Sequence, residues 1–261
     1  MSQGDDRPST VDLAIHELGH AFVAINLGMR VSKVEFFGTP TEVAGHDVTA
    51  LGVTRYEETN MEMTFIDTDL RCAMIGLGGV LATSEIKPDG PTHSLHDLLS
   101  RTNADNGEDT SPTGQLIERI ACSIHDTEVG AAVAQTERTA RLIHGEQYDR
   151  WEHSDRMERM TPIFYICLMT AARLLAVCQP VLTRFAQGIA KQYQPIWDKQ
   201  DNGVLVLQGE DIHHVNDAMP EHIRVKIKQI RKAASYQSIK RMALADKRMA
   251  LAAEGRKGGG Q

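Results

Sequence analysis

The stretch AIHELGHAFVAINLG, from Ala14 to Gly28, decides the fold expected at the start of the chain. Apolar residues recur with helical spacing from Val11 to Leu27. Ser9 and Thr10 are favoured N-cap residues, and Gly28 suits a C-cap. The stretch therefore predicts a single helix that begins just after Ser9 and ends before Gly28.

Two histidines and a glutamate give this helix its chemical character. Residues four apart on a helix share one face, so His16 and His20 can direct two imidazoles at one metal ion. Glu17 lies about 100° around the helix, where it can reach a water molecule bound to that ion. A buried histidine pair without a metal would need two sets of hydrogen-bond partners. The pattern therefore favours a zinc site for peptide hydrolysis, with Glu17 as the general base.

The third zinc ligand is not contained in this helix. A catalytic zinc ion usually takes three protein ligands and one water molecule. His20 is followed by AFVAINLG, so the longer pattern HExxHxxGxxH is absent. Spacing alone does not choose among the downstream candidates, which are His46, Glu85, His93, His96, Asp97 and Asp105.

The next segment predicts a small antiparallel sheet followed by a helix. VSKVEFF (Val31–Phe37) and DVTALGVTRYE (Asp47–Glu57) have strand character, and GTPTEVAGH between them is predicted to be the turn. Met61–Ala82 has helical spacing and contains GLGG at Gly76–Gly79. Glycine is an unfavourable residue inside a helix. Its presence there therefore indicates that another backbone packs closely against the helix.

The second half of the chain is predicted to be almost entirely helical. A polar loop at Asn103–Gly114 is the best internal boundary. Helical spacing then runs from Gln115 to Gln194, with breaks expected near Gly145 and before Thr161-Pro162. A turn and a short helix that opens near Gly209 follow. The sequence therefore predicts a mainly α fold with a small β-hairpin or sheet.

Composition narrows the class of protein. The 261 residues are 41% hydrophobic and 24% charged, which is typical of a soluble globular protein. No run of eighteen apolar residues occurs, and the best candidate, Ile163–Val177, carries Arg173, so no membrane-spanning helix is expected. The polar N-terminus argues against a secretory signal, and four dispersed cysteines favour reduced thiols in the cytoplasm.

Several motifs resemble the zinc peptidase domain of FtsH-type ATP-dependent membrane proteases. They are HELGHA at His16–Ala21, VSKV at Val31–Val34, ALGVT at Ala50–Thr54 and LGG at Leu77–Gly79, and the similarity spans roughly residues 11–215. The resemblance implies that Asp97, in LHDLL, is the third zinc ligand beside the two histidines. It also implies a metalloendopeptidase that uses Zn²⁺ and assembles as a hexameric ring.

The chain departs from that family in ways that bear on its partners. Val80, Thr83 and His96 stand where the family has Arg, Glu and Asn, and no Walker A pattern GxxxxGK(S/T) is present. A peptidase of this kind would cleave flexible or unfolded polypeptides, or borrow a separate ATPase as its unfoldase. The alternative is an inactive peptidase-fold adaptor or regulator that binds another protein.

Charge divides the chain into an acidic body and a basic end. Residues 222–261 hold 11 Lys and Arg against 2 acidic residues, although the whole chain has a net charge of −7. The predicted organisation is a disordered N-terminus (1–9), a zinc metallopeptidase-like domain (10–220), a basic C-terminal helix (221–254) and a disordered tail (255–261). Tyr236 is the sole aromatic residue of this end, so nucleic-acid binding is not expected. A helix that packs on a neighbouring subunit or partner is favoured.

Overall fold

The computed structural model describes residues 8–43, 49–57, 65–85 and 127–233. Within them the fold is mainly α with a small three-stranded antiparallel sheet, as the sequence predicts. The predicted tail at 255–261, most of the N-terminus and the basic helix beyond Ala233 lie outside the described residues. So do five of the third-ligand candidates, which are His46, His93, His96, Asp97 and Asp105.

The first helix, α1 (Thr10–Asn26), matches the predicted boundaries. The backbone N–H of Asp12 donates to the side-chain oxygen of Ser9, which is the N-cap residue. Gly28 follows the C-cap with φ of +85°, a conformation that glycine adopts without a steric cost. The helix is buried on nearly all sides, so it forms the centre of the core.

The sheet has the strand order β2-β1-β3, with β1 (Arg30–Glu42), β2 (Thr49–Glu57) and β3 (Val204–Gln208). The prediction of a turn from residue 38 was wrong, because β1 continues to Glu42 and the N–H of Gly38 donates to the carbonyl of Gly203 at 2.9 Å. The short β3 was not predicted. Five residues of VLVLQ are too few to distinguish a strand from a connection by periodicity.

The remaining helices are α2 (Phe65–Glu85), α3 (Thr127–His144), α4 (Glu146–Asp149), α5 (His153–Lys199), α6 (Gly209–Asp217) and α7 (Glu221–Ala233). The predicted break near Gly145 is confirmed, and its φ is +64°. The predicted break before Thr161-Pro162 was wrong, because α5 continues through Pro162. Buried Met160, Ile163 and Phe164 hold this part of the helix on the core.

One part of α5, residues 163–199, is long and apolar enough to cross a membrane by length and composition alone. Half of its most apolar window is buried inside the protein. The core helix of a soluble protein passes the same test, so this helix does not decide where the protein resides. The absence of a membrane-spanning helix and the cytoplasmic location both stay predictions.

Glycines allow α1 and α2 to approach closely, as the GLGG motif predicts. A Cβ on Gly19 would lie 2.7 Å from the carbonyl oxygen of Gly78 and 2.6 Å from the Cβ of Ala82. A Cβ on Gly78 would in turn lie 3.0 Å from the carbonyl oxygen of Gly19. The two backbones therefore touch at the level of His16 and His20, which places α2 beside the histidines.

Packing of α5 on this core gives a first testable prediction. Leu182→Ala is expected to lower the free energy of unfolding by about 2–5 kcal/mol, because Leu182 is fully buried and its truncation leaves a cavity. Leu142→Ala is the matched control, since Leu142 is 55% exposed on α3 and surface substitutions usually change stability by less than about 0.5 kcal/mol. Chemical denaturation measures both values. An equal decrease in the free energy of unfolding for the two variants would contradict the burial of Leu182 in the core.

Candidate metal centre

His16 and His20 project from the same face of α1 toward α2 and α3. Their Nε2 atoms lie 3.2 Å apart. The side chain of His16 is 22% exposed and that of His20 is 8% exposed. The two rings therefore converge on one point at the edge of the core, with His16 nearer to solvent.

Glu128, in the first turn of α3, completes a triangle of ligand atoms. Its Oε1 lies 3.3 Å from His16 Nε2 and 3.2 Å from His20 Nε2. With the 3.2 Å between the two nitrogens, the three sides are almost equal. Two ligands at about 2.0–2.1 Å on a tetrahedral zinc ion would stand roughly 3.3 Å apart. The triangle thus has the size that three corners of a zinc tetrahedron require.

Gly79 of α2 leaves space in front of this triangle. A Cβ built on Gly79 would press against His20 Nε2 and lie 2.8 Å from His16 Nε2. No side chain other than hydrogen fits there. The two imidazoles and the carboxylate therefore face a small space next to the α2 backbone, and their donor set suits zinc or another first-row divalent ion.

A backbone contact fixes the tautomer of His20. Its Nδ1 lies 2.6 Å from the carbonyl oxygen of Ile75, which can only accept a hydrogen bond. The backbone N–H of Gly79 also lies 3.2 Å from Nδ1, but the Ile75 contact is the shorter one and requires the proton on Nδ1, so neutral His20 presents a lone pair at Nε2. Metal-binding histidines are held in this way by a partner on the other ring nitrogen.

His20 and Glu128 shift each other's pKa in opposite directions. Burial disfavours the charged form of His20, but the Glu128 and Glu17 carboxylates and the Ile75 carbonyl together outweigh burial and raise the pKa of His20 to about 9. His20 and His16 in turn hold the pKa of Glu128 far below its usual range, despite the opposing effect of burial. A metal ion binds neutral imidazole, so binding at neutral pH must displace a proton from His20.

Glu17 is buried beside this triangle, with 4% of its surface exposed. The hydroxyl of Thr54 on β2 lies 2.8 Å from Glu17 Oε2 and 2.9 Å from the Glu17 carbonyl oxygen. A Cβ on Gly52 would lie 2.7 Å from Glu17 Oε1, so glycine is needed there to make room for the carboxylate. Burial raises the pKa of Glu17, although His20 and His16 act in the opposite direction. A raised pKa brings a carboxylate closer to the value that suits a general base.

A cleft of about 380 Å³ leads to these groups. Strand β2 forms one wall, and α2 and α3 form the other. Its lining includes Glu17, His20 and Glu128 together with Gly52, Thr54, Tyr56, Cys72, Gly76, Ala131 and Gln135. Glu17 and two members of the triangle, His20 and Glu128, therefore line the same cleft.

The structure brings Glu128 beside the two histidines as a candidate third ligand, while the sequence-based assignment of Asp97 stays a prediction. Sequence reasoning named His16, Glu17 and His20, and the structure places these residues together. Asp97 lies outside the described residues, and Glu85 is the last residue of α2. Glu128 was missed, because a glutamate in the first turn of a helix is common for electrostatic reasons and carries no distinctive signal.

No protein-family model matches this chain, and a comparison with curated proteins finds no match either. The resemblance to FtsH-type peptidases therefore depends on the motifs in the sequence alone.

Two substitutions separate Glu128 from Asp97 as the third ligand. Glu128→Gln is expected to weaken zinc binding by about 100-fold or more, since even the loss of a partner behind a ligand costs 10- to 100-fold. Asp97→Asn is the matched control and should leave zinc affinity nearly unchanged. Competition with a chelating dye measures both dissociation constants. The opposite result would assign the ligand to Asp97, as the family resemblance implies.

Proposed function

We propose that this protein is a zinc-dependent metalloendopeptidase that hydrolyses peptide bonds in flexible or unfolded polypeptides. The observation that carries the proposal is the nearly equilateral triangle formed by His16 Nε2, His20 Nε2 and Glu128 Oε1. These three groups would hold the zinc ion. The buried Glu17 carboxylate beside them supplies the general base that peptide hydrolysis requires.

Each residue has a distinct task in this proposal. Zinc, when bound, would act as a Lewis acid that polarises a peptide carbonyl and acidifies a water molecule. Glu17 would take up a proton from the attacking water at Oε1, because its Oε2 already accepts a hydrogen bond from the Thr54 hydroxyl. The same oxygen then returns the proton to the leaving amine. Ile75 keeps the His20 ring in place through its carbonyl oxygen.

The volume of the cleft supports an unfolded substrate. A cleft of about 380 Å³ holds a few residues of an extended chain, not a folded domain. Folded substrates would need to be opened first, so a separate ATPase remains the proposed partner for them. A hexameric assembly, implied by the family resemblance, also remains a proposal.

Metal removal and restoration test the proposed function. The purified full-length protein is expected to contain about one zinc ion per chain and to digest an unfolded casein-type substrate. A chelator should abolish digestion, and stoichiometric zinc should restore it, whereas magnesium should not. Iron in place of zinc would contradict the metal assignment. A zinc-loaded protein that cleaves no unfolded polypeptide would favour the adaptor alternative.

A further inference from the structure

The cleft extends well beyond the metal centre along α3. Glu128, Ala131 and Gln135 all line it, and their spacing of three and four residues places them on one face of the helix. Helix α3 runs antiparallel to α2, because Gly76 approaches Glu128 whereas Asp69 forms an ion pair with Arg138 at 2.8 Å. Gln135 therefore lies about 10 Å along the cleft from Glu128, at 1.5 Å per residue.

Gln135 places a buried hydrogen-bond acceptor next to this part of the cleft. Its Oε1 is buried and has no hydrogen-bond partner among the residues that the structure describes. Thr54, another polar residue of the lining, already donates its hydroxyl hydrogen to Glu17. Buried acceptors are almost always paired in folded proteins. Because Gln135 lines the cleft, rotation of its side chain would turn this unpaired acceptor toward a ligand that can supply the donor.

We propose that Gln135 Oε1 accepts a hydrogen bond from a backbone N–H of the bound polypeptide, about three residues from the bond that is cut. The distance follows from the geometry, since an extended chain advances roughly 3.3 Å per residue and Gln135 lies about 10 Å from Glu128. This inference rests on the proposed peptidase function. Gln135 would then be a substrate-positioning residue that binds the main chain of the substrate. Such a residue favours long substrates but does not select their side chains.

Backbone N-methylation provides the test, because it removes one N–H donor at a time. A cleavable ten-residue peptide and a set of variants, each N-methylated at one position two to four residues from the scissile bond, are assayed with the native protein and with Gln135→Met. Met keeps the length of Gln but offers no comparable acceptor. For the native protein, methylation at one of these positions is expected to lower kcat/KM roughly tenfold. Gln135→Met is expected to have a roughly tenfold lower kcat/KM for the unmethylated peptide, and methylation at the same position should change it little.

Controls distinguish the loss of this hydrogen bond from misfolding and from failure of the proposed peptidase function. Gln187→Met, at an exposed position on α5, should behave as the native protein does. Zinc content of Gln135→Met should be unchanged, because Gln135 is not part of the triangle. If each methylation lowers kcat/KM by the same factor for the native protein and for Gln135→Met, the Gln135 assignment is overturned while the peptidase function stands. If the zinc-loaded native protein cleaves no peptide, the proposed function fails and the Gln135 assignment fails with it.

Discussion

Glu17→Gln is expected to retain zinc and to lose peptide hydrolysis by about 10²- to 10⁴-fold, the usual contribution of a general base. The amide has the size of the carboxylate, so it fits the space that Gly52 leaves and can still accept the hydrogen bond from Thr54. It cannot take up a proton from water at neutral pH. The measurement is kcat for an unfolded substrate together with zinc content by atomic spectroscopy.

Glu35→Gln is the matched control for this loss. Glu35 lies on β1, where it pairs with Lys33 and Arg55, and it does not line the cleft. The variant should keep nearly full activity, since partly exposed ion pairs contribute only about 0–1 kcal/mol to stability. Full activity in Glu17→Gln would overturn the mechanism. Loss of zinc together with activity would instead show that Glu17 helps to hold the metal.

Gly79→Ala is expected to abolish zinc binding, with at least a 100-fold loss of affinity, because the new methyl group takes the space in front of His16 and His20. The substitution favours the helix itself by about 1 kcal/mol, so a general loss of structure is not the expected cause. Calorimetric zinc titration measures the affinity, and circular dichroism reports the helix content.

Gly76→Ala, one turn earlier on α2, separates this effect from a general intolerance of alanine. A Cβ there would lie 3.4 Å from the carbonyl oxygen of Glu128 and 3.9 Å from the Cβ of Ala132, which are ordinary contacts. This variant should bind zinc as the native protein does. Equal zinc affinity in both alanine variants would mean that the space beside Gly79 is not the place of the metal.

The local parts of the fold and site could be predicted from the sequence. Helix α1, its cap at Ser9 and the glycine that follows it depend on neighbouring residues, and so does the shared face of His16 and His20. The close approach of α1 and α2 at Gly78 was also expected, because glycine inside a helix needs a reason. In each case the signal lies within a few residues of the feature.

The parts that were missed depend on contacts between distant segments. Glu128 reaches the histidines only because α3 packs on α2, and nothing near Glu128 in the sequence indicates that contact. The strand β3 forms because β1 offers it a partner, with Val34 opposite Leu207. A helix break was expected before Thr161-Pro162, but α5 continues through Pro162 because its neighbours Met160, Ile163 and Phe164 are packed in the core.

The wide separation of the triangle along the chain sets an order of events during synthesis. His20 and Glu128 are 108 positions apart, and chains grow from the N-terminus. A nascent chain that has just completed α1 already carries His16, Glu17 and His20, yet it lacks the Glu128 carboxylate that completes the triangle. A metal ion that needs all three groups could therefore be held only after α3 has been made and has docked, at least 108 residues after His20.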